Sequence, residues 1–297
     1  MHVLMERLLR EGPVATDGAW GTSLQAQGLP AGACPDEWNL SHPDAVLAVA
    51  RRYVAAGSRI ILTNTFGANR IALEKHGLAE RAGEINRAGA RLSGEAADGR
   101  ALVFASVGPT GKLLLMGEVK EDAVCRAYEE QVRALAAGGA DGLVIETMAD
   151  LAEARLALLA AQGTGLPVVA CMSFDAGPAR THTMMGVSAE EAARAFTKAG
   201  ADAVGANCGR GIEGMAALCR TFRSVSALPI WIKGNAGMPR LDHERTVYDM
   251  TPEAFAAHVP ELIEAGAAFI GGCCGTDAEF IARVGEACAA ARGRAPV

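Results

Sequence analysis

Eight short apolar runs, each closing near Gly, Asn, Thr, Asp or Cys and nearly all followed by a helical pattern, constrain this chain more than any other feature. They span Pro13 to Asp17, Arg59 to Phe66, Ala101 to Val107, Gly142 to Thr147, Pro167 to Phe174, Ala203 to Cys208, Pro229 to Asn235 and Ala268 to Cys273. Between them lie stretches with three-to-four apolar spacing, such as Ala45 to Ala55, Asp122 to Ala137, Asp150 to Ala161, Ala189 to Ala199 and Pro252 to Ala265. Several of these end in Ala-Gly, at Gly57, Gly200 and Gly266, as helices commonly do. Strands that alternate with helices build a parallel sheet, because each return to the start of the next strand needs a long crossover. Eight such units fit a (βα)8 barrel better than an open doubly wound sheet, which separates its cofactor motif from a second domain. With 297 residues, half of them hydrophobic, residues 1–297 are expected to form one barrel domain.

A net charge of −6 and the lack of any basic run argue against nucleic acid as a partner. No apolar stretch approaches the roughly 18 residues needed to span a bilayer, and Met1-His2-Val3-Leu4-Met5-Glu6-Arg7 lacks the apolar centre of a signal peptide. A cytoplasmic protein is expected. Eight cysteines are too sparse for a disulfide scaffold. Cys125, Cys171, Cys219 and Cys288 lie in apolar-periodic segments and read as small buried thiols, and Cys34 reads as a loop residue.

On this map Asp17-Gly18, Asn64-Thr65-Phe66, Gly108-Pro109-Thr110, Glu146-Thr147, Asn207-Cys208, Asn235 and Cys273-Cys274 all fall at strand C-terminal ends. In a barrel those ends converge on one mouth, where active sites are built. Cys208, Cys273 and Cys274 then offer three thiolates, and three protein ligands with one open position distinguish catalytic from structural zinc. Adjacent strand residues face opposite ways, so Cys273 and Cys274 can share a metal only if the backbone leaves strand geometry. Gly271, Gly272 and Gly275 make that departure inexpensive. A vicinal disulfide, two unrelated core thiols or a redox pair are the alternatives. Soft sulfur ligands favour zinc over magnesium or calcium. Zinc with three thiolates is a poor activator of water, but a substrate thiol with a free pKa near about 8.5 loses its proton there and stays nucleophilic. Asp17 and Glu146 can bind an ammonium group at the same mouth, the alternative for each being a helix N-cap or a structural ion pair. Backbone N–H groups near Asn64-Thr65-Phe66 and after Cys208 can receive a carboxylate, so the site fits an amino acid bearing a thiol.

Two near-motifs carry no weight. Gly209-Arg210-Gly211-Ile212-Glu213-Gly214 matches G-x-G-x-x-G, but Pro229-Ile230-Trp231 stands where a ribose-binding acid belongs, and Gly108-Pro109-Thr110-Gly111-Lys112 lacks P-loop spacing.

Asp17-Gly18-Ala19-Trp20-Gly21-Thr22, Leu62-Thr63-Asn64-Thr65-Phe66-Gly67, Gly108-Pro109-Thr110-Gly111, Glu146-Thr147, Asn207-Cys208-Gly209, Gly234-Asn235-Ala236-Gly237 and Gly271-Gly272-Cys273-Cys274-Gly275-Thr276, in this order, resemble the homocysteine S-methyltransferase family. Within it the chain is most similar to the homocysteine-binding module of cobalamin-dependent methionine synthases. The resemblance implies a zinc-dependent barrel that methylates the sulfur of homocysteine, forming methionine. It implies that Cys208, Cys273 and Cys274 hold zinc, with Asn235 a resting-state ligand, that Asp17 and Glu146 bind the amino group, and that Thr65 lies near the substrate. Betaine-using relatives place tyrosine after their counterpart of Glu146, where this chain has Thr147, and three tyrosines and three tryptophans under-supply a cation–π cage. The expected donor is a methylated corrinoid, as methylcobalamin or on a separate corrinoid protein, since no D-x-H-x-x-G corrinoid motif is present. S-Methylmethionine and betaine are the alternative donors, and a non-catalytic zinc- and thiol-binding regulator is the rival of another class. The loop Arg180 to Gly186 is expected to cover the mouth or contact the donor.

Overall fold

The computed structural model describes residues 1–242 and 245–292, and the side chains of all of these except 241, 242, 245 and 246. The barrel strands are β1 (Val14–Ala15), β2 (Ile60–Ile61), β3 (Leu102–Val107), β4 (Gly142–Met148), β5 (Val168–Met172), β6 (Ala203–Gly211), β7 (Ile230–Asn235) and β10 (Ala267–Gly272). They pair in parallel in the order β2-β3-β4-β5-β6-β7-β10-β1. The Arg59 N–H donates to the Ala15 carbonyl at 2.9 Å and joins β1 to β2, so the sheet returns on itself. This is the (βα)8 barrel that the alternation predicts, and each expected strand overlaps one of the eight. β1 and β2 are shorter than expected because side chains replace the ladder near the mouth. The Leu62 N–H donates to Asp17 Oδ2 at 2.7 Å, and the Asn64 carbonyl accepts from Asn39 Nδ2 at 2.7 Å.

Other boundaries differ for identifiable reasons. Pro252 to Ala265 is not one helix but two, Pro252–Ala256 and Val259–Glu264, with Pro260 in the first turn of the second. Proline lacks the N–H that would continue the ladder and its ring collides with the carbonyl four residues back, so the helix restarts. A two-stranded antiparallel ribbon, β8 (Arg240–Asp242) with β9 (Arg245–Val247), follows β7 and has no counterpart among the expected elements. Cys171, Cys219 and Cys288 are buried as expected. Cys125 is not, since it sits half-exposed on the helix Glu121–Ala137 beside Glu129, whereas the loop residue Cys34 is buried.

Strand alternation sorts the side chains into two cores. Leu143, Ile145, Val204, Ile230, Ile232 and Ile270 point outward into the layer beneath the helices. Val144, Val169, Ala203, Phe104, Trp231 and Phe269 point into the barrel, where Trp231 stacks on Phe104 with centroids 6.2 Å apart. The N-terminal helix Val3–Leu9 adds Met5 and Leu8 to this interior cluster and closes the end opposite the mouth. Space there is tight: a Cβ on Gly205 would come far inside van der Waals contact with the Trp231 carbonyl oxygen, a backbone atom that cannot step aside. Gly205→Ala is therefore expected to destabilise the barrel by more than about 3 kcal/mol, read as a lowered urea midpoint. An unchanged midpoint would contradict this packing.

Candidate active site

Two residues up each strand from the interior apolar tier, the inward positions turn polar. Phe104 gives way to Ser106 on β3, Val144 to Glu146 on β4, Gly205 to Asn207 on β6 and Trp231 to Lys233 on β7, all of them buried. Asp17, just past β1, joins this tier. A polar floor thus rests on an apolar plug, and the mouth opens above it.

Two strands are distorted at this level. On β4, Ile145 pairs with Ala170 but the next registered pair is Met148 with Met172, so β4 bulges at Glu146-Thr147. On β6, Asn207 pairs with Lys233 and the next pair is Gly211 with Asn235, a larger bulge that carries Cys208. Thr147 and Cys208 both adopt left-handed backbone, at φ 59° and 58°, unusual for residues with a side chain. Asn207 links the two corners. Its Oδ1 accepts from the Thr147 N–H at 2.8 Å, and its Nδ2 donates to Thr147 Oγ1 at 2.7 Å and to Glu146 Oε2 at 3.3 Å. Asn207→Ala removes all three bonds and leaves the corners unbraced. It is expected to cost about 2–3 kcal/mol of stability and to weaken metal retention about tenfold, as measured by thermal denaturation and a zinc-chelator competition.

The bulge brings Cys208 to the other two cysteines. The Sγ atoms of Cys208, Cys273 and Cys274 all lie within 4.8 Å of one another, with Cys208 and Cys274 3.9 Å apart. Cys273 and Cys274 turn to one side together because the chain leaves β10 after Gly272. The Cys273 N–H donates to the Gly234 carbonyl at 2.7 Å, the Cys274 carbonyl accepts from the Ala236 N–H at 3.0 Å, and Gly275 reverses the chain at φ 83°. The Tyr248 ring packs against that glycine. Hydrogen bonds from the Cys273 and Cys274 thiols push the Cys208 pKa well below the ordinary thiol range. Asn235 adds its amide beside Cys208, and its buried Oδ1 has no hydrogen-bond partner. Three thiols and an orphaned amide oxygen form a donor set that suits a zinc ion.

Glu146 faces the mouth, accepting from the Ser106 hydroxyl and from Asn207. Burial raises its pKa, and the Lys233 charge and Ser106 pull it back. Asp17 is placed differently from Glu146. It is fully buried, Oδ1 is ion-paired to Lys233 Nζ, and Oδ2 accepts from Trp20 Nε1 at 2.9 Å and from the Leu62 N–H. Thr65 is also buried, donating to the Ser106 carbonyl at 2.8 Å beneath the β2 loop. Arg180, on the loop after β5, reaches Met238 after β7, and Arg210 donates to the Arg180 carbonyl, so this loop crosses toward the β6 and β7 ends.

Residues 14–288 match the family model described as homocysteine S-methyltransferase. The chain belongs to the homocysteine S-methyltransferase family. Methionine synthase from Mycobacterium tuberculosis is 30% identical over 309 residues, covering 97% of this chain and 25% of the relative. Methionine synthase from Mycobacterium leprae is 30% identical over 306 residues, again with 25% of its length covered. The chain therefore spans about a quarter of the methionine synthases it matches. The metallated homocysteine methyltransferase MmuM from Escherichia coli shares the fold, with a TM-score of 0.80, 22% identity, and coverage of 95% of this chain and 99% of that one.

This family member carries two site residues that its sequence did not yield. Lys233 was legible in principle, since a lysine at an inward position of an apolar strand needs a buried counter-ion. Asn207 stood beside Cys208 with no assigned role, and its bracing of two bulges depends on registers that a sequence does not display.

Proposed function

We propose that this family member methylates the sulfur of homocysteine, forming methionine, at a zinc site held by Cys208, Cys273 and Cys274. The observation that carries the reading is the convergence of three thiols at the barrel mouth, beside the Asn235 amide and above an acidic residue fitted to an ammonium group. Zinc in such a site lowers the pKa of a substrate thiol and presents it as a thiolate at neutral pH. Asn235, whose amide lies beside Cys208, would help the three cysteines hold the ion before substrate binds. Glu146, aimed by Asn207 and Ser106, takes the amino group, while Thr65 shapes the β2 loop beside it. Asp17, closed off by three donors, acts on the substrate through Lys233. In the net reaction a sulfur–carbon bond forms, the donor–methyl bond breaks, and the thiol proton leaves to solvent.

The donor proposed is a methylated corrinoid on a separate molecule. Phe66, Leu113, Leu115, Met116, Met184 and Met238 are exposed on the loops that follow β2, β3, β5 and β7, all at the mouth end. An apolar rim of this kind suits a bulky partner better than a small quaternary amine, which needs a closed aromatic cage. Incubation with homocysteine and each donor in turn tests this, with methionine expected from methylcobalamin. Turnover with S-methylmethionine or betaine but not methylcobalamin would contradict the donor assignment and leave the acceptor assignment standing.

A further inference from the structure

We infer that Lys233 is a resident ammonium that sets where the substrate's own ammonium binds, a specificity determinant resting on the proposed use of homocysteine. The inward β7 positions are Trp231, Lys233 and Asn235, so the lysine sits one tier below the thiol cluster and one above the aromatic plug. Its side chain is 2% exposed and its Nζ is paired with Asp17 Oδ1.

The floor therefore holds two carboxylates and one ammonium, a formal charge of −1. Asp17 is spent: besides Lys233 it accepts from Trp20 and Leu62, and none of its surface reaches the pocket. Glu146 accepts from the Ser106 hydroxyl on Oε1 and from one 3.3 Å amide on Oε2, which leaves it the larger remaining capacity to accept. A single substrate ammonium thus has one place to go, on Glu146, in the register that leaves its sulfur at the cysteines.

Removing the lysine charge changes the register. A buried carboxylate without a counter-ion is strongly unfavourable, and the substrate's ammonium is a cation of the size vacated. It is drawn down toward Asp17, the amino acid sits lower, and its sulfur loses its position among the cysteines. Binding in this lower register is tight and unproductive. Such binding lowers kcat and KM together, whereas loss of a merely structural ion pair reduces the active fraction without lowering KM.

The test uses the purified full chain with zinc content verified, and begins by confirming homocysteine methylation by the wild type, so that failure of the functional reading is recognised separately. Lys233→Ala is expected to lower kcat and KM for homocysteine in parallel, each by about tenfold, with zinc content unchanged. 4-Mercaptobutyrate, the same thiol acid without the amino group, should show no fall in KM. Added propylammonium, which can refill the vacated place beside Asp17, should raise kcat for Lys233→Ala in a saturable way. Lys233→Met fills the space without charge and admits neither ammonium, so its KM for homocysteine should not fall and propylammonium should not rescue it. An unchanged or raised KM in Lys233→Ala would overturn the inference, as would an equal fall in KM for 4-mercaptobutyrate or in Lys233→Met. Failure of Lys233→Ala to fold with zinc would assign Lys233 to the fold and overturn it too.

Discussion

Cys208→Ala is expected to yield a folded barrel that retains no zinc after dialysis and whose methyl transfer to homocysteine falls at least about a thousandfold in kcat/KM, roughly 4 kcal/mol of transition-state stabilisation. Cys208 is the sulfur that the bulge of β6 brings to the other two, with its Sγ 3.9 Å from that of Cys274. Its removal leaves two adjacent thiols on one loop, too few for a tetrahedral site. The fold should survive, because the barrel interior and the layer beneath the helices are built from apolar side chains that Cys208 does not join. A bound metal stabilises only the state that binds it. The melting temperature of Cys208→Ala should therefore equal that of wild-type protein stripped by a chelator. A variant that keeps full zinc content would remove Cys208 from the ligand set, and one that melts well below the stripped wild type would make it a structural residue.

Glu146→Gln is expected to raise KM for homocysteine about thirtyfold with a much smaller change in kcat. The substitution keeps the shape of the side chain and replaces a charged acceptor with a neutral amide, which costs about 2 kcal/mol where an ammonium is bound. The effect should fall on KM because the amino group stays bound through the reaction while the sulfur changes. The same substitution should leave KM for 4-mercaptobutyrate nearly unchanged, since that acceptor brings no ammonium. Equal losses for the two thiols would assign Glu146 to holding the β4 bulge rather than to the substrate.

The barrel was legible because its evidence is local and repeated. Each run from Ala101 to Val107 or Pro229 to Asn235 carries its own β-branched or apolar pattern, and a glycine or polar residue marks its mouth end. Cys208, Cys273, Cys274, Glu146 and Asp17 could be gathered to one end of the molecule by that topology alone. What the topology does not carry is the last few ångströms. Thr147 and Cys208 are placed as they are because β4 and β6 bulge, and a bulge is a disagreement between two strands' registers, absent from either strand alone. Asp17 at a strand end read as a substrate contact with an ion pair as the alternative, and the ion pair it makes is with Lys233, distant in sequence. The ribbon β8–β9 was missed because three-residue strands bear too few alternations to stand out.

The central claim is that Cys208, Cys273 and Cys274 hold a zinc ion that receives the homocysteine sulfur, and X-ray absorption at the zinc edge tests it most directly. Zinc-loaded protein should show three sulfur neighbours and one oxygen, and four sulfurs after homocysteine is added, with Asn235→Ala altering only the first spectrum. An unchanged sulfur count on adding homocysteine, or protein that takes up no zinc, would contradict it.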